Sequence, residues 1–363
     1  MKSIIKKIIP DFALNFYHFC LALAGAILYG FPGSNKGIKI IGITGTSGKT
    51  TVVDFVSRIL EESGYKTASL SSARFKIGEK EWKNNLKMTM PGRMKIQKFL
   101  RQAISEKCRF AVLEVTSEGI RQSRHRFINF DTAVFTNLSP EHIESHKGFG
   151  NYRNEKIKLF KAVKNIHIIS IDDENSEYFL KIPAEKKIVF SADSGRKTES
   201  KNLSIVYCSS FFANGSGISF KVDNTDFNLN LLGRFNVYNA LAAISVGKAY
   251  EIGLEIAKKA LEKAKSIPGR MEIVAQKPFV VVDYAHTPKQ LEEVYKALEK
   301  KPLVCVLGSC GGGRDKWKRR VLGKVASKYC KEIIITNEDP YDENPEEILP
   351  KLLLAQEKKP RKF

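Results

Sequence analysis

The sequence predicts an α/β protein with two sheet domains: a central one with a mostly parallel sheet and a Rossmann-like C-terminal one. Short apolar strand patterns alternate with helical patterns, which is typical of a parallel sheet covered by helices. A proline–glycine break at SIPGRME (266–272) precedes a new series of strands. The predicted divisions are an apolar extension (1–36), the central domain (37–267) and the C-terminal domain (268–363).

The first element is an apolar segment, residues 12–31, that follows three lysines. It is close to the ~20 residues that span a bilayer, although Asn15 and His18 interrupt it. No small-residue cleavage site follows, so a cleaved signal peptide is not predicted. Three alternatives stay open: a helix docked on the protein, a helix lying on a membrane surface, or a transmembrane span.

The central domain is predicted to begin with a strand, a loop and a helix from about 49 to 63. Its strand patterns are IKIIGIT (38–44), RFAVLEVT (109–116), DTAVFTNL (131–138) and IHIISI (166–171). Alternating runs between 203 and 232 predict an antiparallel insert, and a helix follows Asn236. In the C-terminal domain, FVVVDYAHTP, PLVCVLGS and EIIITNEDP are strands that end in polar loops, as in nucleotide-binding folds.

The composition is that of a globular protein with a strong positive charge. Hydrophobic residues make up 43% and the net charge is +21, which excludes wholesale disorder and favours anionic partners or a solvated lysine-rich surface. No nucleic-acid module or aromatic stacking platform is evident, so we expect no nucleic-acid partner. Six scattered cysteines without a C-x-x-C pair argue against a disulfide framework or a zinc site, and for a reducing compartment.

The strongest local signal is IKIIGITGTSGKTT (38–51), in which a strand leads through a glycine loop into a helix. Backbone N–H groups of such a loop form an anion cradle, Lys49 adds a mobile positive charge, and the Thr50 hydroxyl is a magnesium ligand. The strict phosphate-loop spacing fails by one position, since Ile43 stands where glycine is required. The alternative is a tight turn with an incidental lysine, but the context favours a P-loop.

TGTSGKTT resembles the ATP-binding loop of the Mur ligase family, and further segments match that family in the same order. These segments are LEVTSEGIRQSRHRF, AVFTNLSPEHIESHKGFGNYRNEK, GRFNVYNALAA, PGRME, VVVDYAHTP and GSCGGGRDKWKRR, which resemble the muramoyl-tripeptide synthetase branch over about residues 37–350. The resemblance implies an ATP-dependent amide ligase of peptidoglycan precursor synthesis. It would phosphorylate the terminal carboxylate of UDP-N-acetylmuramoyl-L-alanyl-D-glutamate, and a diamino acid would then attack the acyl phosphate.

The resemblance also implies the site residues. The catalytic residues would be Lys49, His142 and Lys156. The ATP contacts would be Gly45, Thr46, Ser47, Gly48, Lys49, Thr50, Thr51, Asn236, Asn239, Arg270, Asp283, His286, Arg314, Asp315 and Lys318. Two magnesium ions would be held by Thr50, Glu114, His142 and Lys156, the last being the lysine that the family carbamylates. The UDP-muramoyl ligand would be faced by Thr89, Thr116, Ser117, Gln122 and Arg124.

The sequence departs from the family pattern in four places. The usual uridine-binding domain is missing or reduced to residues 1–36, and the final part of the last domain, with its GKGHE-like segment, is absent. Glu118 stands where the family often has histidine. In NEDPYDENP, Tyr341 replaces the arginine that pairs with the distal carboxylate of diaminopimelate, and a phenol cannot make that bidentate pair. The amino-acid substrate therefore stays open between lysine, another diamino acid and diaminopimelate recognised elsewhere.

Two other functions compete with this interpretation. One is a related amide ligase similar to folylpolyglutamate synthetase. The other is a membrane-associated nucleotide-binding pseudoenzyme that scaffolds wall synthesis, favoured by the apolar N-terminus. Because ATP and UDP-linked precursors occur in the cytoplasm, we expect a cytoplasmic monomer, with a peripheral membrane contact through residues 12–31 as an open alternative.

Overall fold

The computed structural model describes residues 10–35, 37–86, 88–193, 195, 203–213, 217–298 and 302–353. The helices are α1 (Asp11–Leu28), α2 (Lys49–Glu62), α3 (Arg93–Ser105), α4 (Ser117–Arg121), α5 (Ile143–His146), α6 (Phe149–Ala162), α7 (Ser176–Leu180), α8 (Phe235–Ala249), α9 (Leu254–Glu262), α10 (Pro288–Leu298), α11 (Lys318–Tyr329) and α12 (Pro345–Leu353). The strands are β1 (Lys39–Thr44), β2 (Thr67–Leu70), β3 (Arg74–Ile77), β4 (Lys80–Lys83), β5 (Phe110–Glu114), β6 (Phe130–Phe135), β7 (Ile166–Ser170), β8 (Lys186–Ser191), β9 (Ser204–Ala213), β10 (Ile218–Val222), β11 (Thr225–Leu229), β12 (Glu272–Gln276), β13 (Phe279–Val282), β14 (Leu303–Leu307) and β15 (Cys330–Ile335).

The central domain is built on one sheet of 11 strands in the order β11-β10-β9-β8-β7-β6-β1-β5-β2-β3-β4. The strands from β9 to β2 along this order run parallel, and antiparallel strands extend the sheet at both edges. The predicted α/β class with a mostly parallel sheet is therefore confirmed. The predicted antiparallel segment between 203 and 232 does pair in that way, but β9 joins β8 in parallel, so the segment continues the sheet instead of forming a separate insert.

Both faces of the sheet are covered, because side chains alternate between two apolar cores. On β1, Ile41 and Ile43 belong to the core formed with α2, α8 and α9, whereas Ile40 belongs to the core formed with α3, α6 and α7. The buried β-branched runs in the sequence are thus central parallel strands with helices on both sides.

The C-terminal domain contains two pairs of strands: β12 and β13 are antiparallel, and β14 and β15 are parallel. Its apolar core includes Leu291 and Tyr295 of α10 and Leu322 of α11. In the described residues these strands form two separate sheets, which differs from the single parallel sheet of a Rossmann-like unit. The predicted boundary at residue 268 remains a prediction.

One disulfide corrects the expectation drawn from the cysteines. Cys305 and Cys330 are bonded to each other although 25 residues separate them in sequence. The spacing gave no hint of this pair because the two residues meet only when β14 and β15 lie side by side. Cys108 and Cys208 are buried free thiols, as expected of small core residues.

Helix α1 is docked against α3, which agrees with one of the three alternatives for the apolar segment. Ala22 and Ala26 of α1 are buried, and a Cβ added to Gly25 would lie 3.1 Å from the Cα of Met94 in α3. Small residues therefore allow the two backbones to approach closely. In the part of the chain that the structure describes, no helix combines the length and apolarity needed to cross a bilayer.

The close packing at Gly25 predicts that Gly25→Leu loosens α1. Leucine would collide with the backbone of α3, and overpacking of this kind costs ~1–3 kcal/mol. We expect faster amide hydrogen exchange throughout α1 in this variant, with little change in the exchange of β1. The control is Ala24→Leu, which places the same side chain at an exposed position of the same helix. Equal exchange in the two variants would contradict the docked arrangement.

Candidate active site

The predicted phosphate loop lies at the carboxyl end of β1, between β5 and β6. After β1 the chain forms β2 and β5 on one side of β1, and it then crosses to form β6 on the other side. The strand order therefore reverses at β1. Crevices at such positions are the usual ligand sites of open α/β sheets. The loop consists of residues 45–48 and leads directly into α2.

Two glycines are required where the loop passes its neighbours. Gly45 has φ 152°, and a Cβ there would lie 2.0 Å from Oγ1 of Thr136. Gly48 has φ 81°, and a Cβ there would lie 2.3 Å from Oδ1 of Asn239. Asn137 holds the loop from the end of β6: its Oδ1 accepts hydrogen bonds from the backbone N–H (3.0 Å) and the hydroxyl (2.9 Å) of Ser47.

Lys49, Thr50 and Glu114 converge beside this loop. The Thr50 hydroxyl donates to Oε2 of Glu114 at 2.9 Å, and Nζ of Lys49 lies 3.9 Å from Oε1 of the same carboxylate. The backbone N–H of Ser72 also donates to Glu114, at 2.9 Å. From the C-terminal domain, Arg270 donates to the Thr50 hydroxyl at 3.2 Å. The predicted grouping of these residues is present in the structure, and hard oxygen atoms lie next to cationic groups.

Lys156 is buried beneath the loop, with 1% of its surface exposed. Its amine donates to the carbonyl oxygen of Gly45 at 2.7 Å and lies 4.5 Å from the ring of Tyr152. The Tyr152 hydroxyl is 3.1 Å from Oγ1 of Thr46. Burial lowers the pKa of Lys156 well below its ordinary value, and the charge of Lys49 acts in the same direction.

His142 lies beside a buried carboxylate that the sequence did not single out, Glu141. Oε1 of Glu141 is 2.6 Å from Nε2 of His286, 3.8 Å from Nε2 of His142 and 4.0 Å from Nζ of Lys318. Burial alone would raise the pKa of Glu141, but these basic neighbours hold it far below its usual range. Burial lowers the pKa of His142 to about 4, so its imidazole is neutral at pH 7, the form that binds metals.

A reciprocal contact joins the two domains next to His142. The carboxylate of Asp315 accepts hydrogen bonds from the backbone N–H groups of Ile143 (3.2 Å) and Glu144 (3.0 Å). In return, Oε1 of Glu144 accepts from the backbone N–H of Lys316 at 2.8 Å. The Asp315 carboxylate is therefore occupied by the central domain, and the segment from 141 to 144 lies between the phosphate loop and the C-terminal domain.

Other predicted ATP contacts have partners within the protein. Asn239 donates to Oδ1 of Asn236 at 2.9 Å, and Asn236 donates to the carbonyl of Leu232 at 2.8 Å. Both carboxylate oxygens of Asp283 accept backbone N–H groups, from Met271 and Ala285, each at 2.7 Å. Asp283 thus fixes the fold of its loop. Arg314 is partly exposed, and its charge helps to lower the pKa of His142, while Thr51 is buried in α2.

The residues predicted to face the UDP-muramoyl ligand hydrogen-bond to one another and to the backbone near α4. Gln122 donates to Oε1 of Glu118 at 2.6 Å, and Arg124 donates to Oε1 of Gln122 at 2.7 Å. Glu118, the departure from the family pattern, is therefore held by Gln122. Thr116 accepts from the backbone N–H of Gly119 at 3.0 Å and caps α4. Ser117 is buried and Thr89 is partly exposed.

Tyr341 lies over the glycine-rich segment that precedes Arg314. A Cβ added to Gly312 would be 2.7 Å from Cγ of the Tyr341 ring, and 56% of the tyrosine is exposed. The neighbouring Glu343 pairs with the fully buried Arg319 at 3.0 Å. The loop NEDPYDENP, where the family has its amino-acid motif, thus packs on the glycine-rich segment that leads to Asp315 and Lys316. These two residues contact the central domain.

Sequence reasoning missed Ser72, Asn137, Glu141 and Tyr152. Three of them had a signal, because they follow parallel strands at the carboxyl edge of the sheet, where ligand-binding side chains usually lie: Asn137 and Glu141 follow β6. Ser72 follows β2 at the same edge. Tyr152 looked like an ordinary core aromatic, and its contact with Thr46 exists only in the folded chain.

Comparisons with known proteins were made on both sequence and structure. Residues 43–247 match the family model for the Mur ligase middle domain, and residues 269–361 match that of the Mur ligase, glutamate ligase domain. The chain is 36% identical to a UDP-N-acetylmuramoyl-L-alanyl-D-glutamate–2,6-diaminopimelate ligase of Syntrophomonas wolfei, covering 93% of this chain and 69% of that protein. A ligase of the same name from Clostridium botulinum is 37% identical, covering 92% and 68%.

Solved structures agree with these matches. A structure of a UDP-N-acetylmuramoyl-L-alanyl-D-glutamate–2,6-diaminopimelate ligase is 27% identical with a TM-score of 0.63, covering 87% of this chain and 65% of that one. A folylpolyglutamate synthase of Mycobacterium tuberculosis has a TM-score of 0.75 at 16% identity, covering 98% and 89%, and shows the fold alone. The chain spans about two thirds of the length of the diaminopimelate ligases that it matches.

The burial of Glu141 among basic groups of both domains predicts that Glu141→Gln strongly reduces the turnover of ATP. Losing this charge leaves His286 and Lys318 without their counter-ion, and breaking a buried ion pair costs ~3–5 kcal/mol. We expect kcat/KM for ATP to fall at least about tenfold. The control is Glu106→Gln, which removes a surface carboxylate paired with Lys66. If both variants hydrolysed ATP like the parent protein, Glu141 would have no part in the site.

Proposed function

The chain belongs to the Mur ligase family, and from that premise we propose that it joins a diamino acid to the terminal carboxylate of UDP-N-acetylmuramoyl-L-alanyl-D-glutamate at the expense of ATP. Family membership confirms the sequence prediction of an ATP-dependent ligase of peptidoglycan precursor synthesis. The main support for the proposal is that Lys49, Thr50 and Glu114 lie together at the phosphate loop. Arg270 of the C-terminal domain contacts Thr50 at the same place.

The mechanism follows from where the charges lie. Backbone N–H groups of the loop and the amine of Lys49 would hold the triphosphate, while Arg270 would neutralise charge as the γ-phosphoryl group moves to the acceptor carboxylate. The bond between the β-phosphate bridging oxygen and the γ-phosphorus breaks as the carboxylate oxygen bonds to phosphorus. The amine of the diamino acid then attacks the acyl phosphate, forming the amide and releasing phosphate.

The residues present fit magnesium at Thr50 and Glu114. A hydroxyl and a carboxylate oxygen 2.9 Å apart form a hard-oxygen donor set, to which phosphates and water add further ligands. Within the described ranges no cluster of three or more His, Cys, Asp and Glu side chains that could hold a metal ion is present. When bound, magnesium would neutralise charge on the phosphoryl oxygens.

Carbamylation of Lys156 is part of this proposal. The amine is desolvated and bonded to a carbonyl rather than to a carboxylate, which favours the neutral, nucleophilic form. Its nitrogen would attack carbon dioxide, forming a C–N bond and losing a proton. The resulting carbamate would provide, together with His142, ligands for a second magnesium ion.

Two observations that bear on the amino-acid substrate point in opposite directions. The named relatives are diaminopimelate ligases. Tyr341, however, has no positive charge for a distal carboxylate, and its ring lies on Gly312. A folate substrate is disfavoured because the folylpolyglutamate synthase match rests on 16% identity, against 36% for the muramoyl ligase.

We further propose that the protein is a monomer in the cytoplasm, where both substrates occur, and that residues 12–31 contact a membrane surface.

The proposed function predicts phosphate release only with the complete substrate set. The full chain is incubated with ATP, magnesium and the muramoyl dipeptide, and L-lysine and meso-diaminopimelate are offered separately. We expect one of them to raise phosphate release and to yield a tripeptide by mass spectrometry. The Lys49→Ala variant is the negative control and should lose turnover by at least about a hundredfold. Nucleotide binding without tripeptide from any diamino acid would instead support the scaffold alternative.

The carbamate proposal predicts chemical rescue of Lys156→Ala. Removing the amine should abolish ligation, and added formate or acetate should restore part of it by filling the vacated space with a carboxylate. The matched control is Lys158→Ala, because Lys158 lies on the same helix, is exposed and pairs with Glu155 on the surface. Full activity of Lys156→Ala without an additive would exclude the carbamate role.

A further inference from the structure

Helix α1 carries an apolar stripe of exposed and half-buried side chains. Its members occur at intervals of three and four residues and are Phe12, Phe16, Phe19, Leu23 and Ile27. The exposed fractions of Phe12, Phe16 and Ile27 are 76%, 69% and 60%. Exposed apolar side chains at helical spacing mark an interaction surface. No Asp, Glu, Lys or Arg occurs between residues 12 and 35, so no charge interrupts the stripe.

The stripe is held outward by the opposite face of the same helix. Gly25 packs against α3, Ala22 and Ala26 are buried, and this packing fixes the rotation of α1 about its axis. The helix has 18 residues, or about 27 Å at 1.5 Å per residue. It therefore presents a long apolar edge that the protein covers only in part, where the ring of Phe19 lies 5.4 Å from that of Phe127.

Positive charge accompanies this edge. An open apolar groove of about 370 Å³ lies between α1 and the start of α3, lined by Leu21, Leu86, Met88 and Met94 together with Arg93 and Lys95. Helix α3 contains four basic residues and no acidic one, and Lys95, Lys98 and Arg101 are exposed. An apolar helix face next to exposed lysine and arginine is complementary to a bilayer with anionic headgroups.

We propose that α1 and the start of α3 form a docking face for an anionic lipid bilayer. The stripe enters the headgroup region while the basic side chains of α3 pair with lipid phosphates. This inference specifies the membrane contact named in the proposed function, and its test does not depend on ligase activity. The same face is linked to the acceptor residues, because Nε of Arg93 donates to the carbonyl of Gln122 at 2.9 Å.

The test is sedimentation of the full chain with vesicles of phosphatidylcholine, with and without phosphatidylglycerol. We expect binding to the anionic vesicles, weakened by salt and unaffected by soluble glycerol phosphate. The Phe16→Ser, Ile27→Ser double variant should bind about tenfold more weakly or worse, because the apolar contact is lost. The control is Phe212→Ser, which changes an equally exposed phenylalanine on β9.

Several results would overturn the proposal. Equal binding to neutral and anionic vesicles would remove the role of α3, and Lys95→Glu with undiminished binding would do the same. Competition by glycerol phosphate would indicate a site for a free phosphate compound. Self-association that the double variant abolishes, without vesicle binding, would make a second copy the partner. Thermal unfolding and phosphate release of each variant, measured without vesicles, separate these outcomes from misfolding and from failure of the proposed function.

Discussion

The phosphate loop is held in place by hydrogen bonds from the end of β6. Thr136 and Asn137 bond to Ser47, and their closeness is the reason that Gly45 tolerates no side chain. Because β6 is the neighbour of β1 in the parallel sheet, the register of two strands sets the conformation of the loop. The amine of Lys156 supports the same loop from below, through Gly45. The candidate chemistry therefore depends on a rigid platform, since the catalytic groups must be held in a narrow range of positions.

The positive charge at the site is divided between the domains. The central domain provides Lys49, whereas Arg270 and Lys318 come from the C-terminal domain. Two acidic side chains, Glu114 and Glu141, lie between these cations and reduce their mutual repulsion. Without substrate, the cations are therefore partly neutralised by the two carboxylates, and anionic substrates bind beside these ion pairs. The contact of Asp315 with the backbone next to His142 makes the position of one domain depend on a loop of the other.

Local patterns predicted the fold well, and long-range contacts account for what they missed. The strands of the parallel sheet were visible because they are buried on both faces and consist of apolar runs. The phosphate loop was visible because glycine spacing records backbone constraints. The contact of Glu141 with His286 and the disulfide between Cys305 and Cys330 were not, because their partners lie far away in sequence. Resemblance to a family implied an ATP contact for Asp283, and only the structure shows that its oxygens accept hydrogen bonds from backbone N–H groups.

The N-terminal helix illustrates how one sequence feature admits two physical interpretations until its packing is known. An apolar segment of about 20 residues suits either a membrane or a protein core. Its two sides differ: Ala22, Gly25 and Ala26 are small and buried, with Gly25 against α3, whereas Phe12 and Phe16 are large and exposed. Small residues favour close helix packing and large aromatic ones favour an interface with lipid, so the same helix can serve both. Its attachment to α3, which also contacts Gln122, brings that apolar face next to the residues proposed to bind the acceptor.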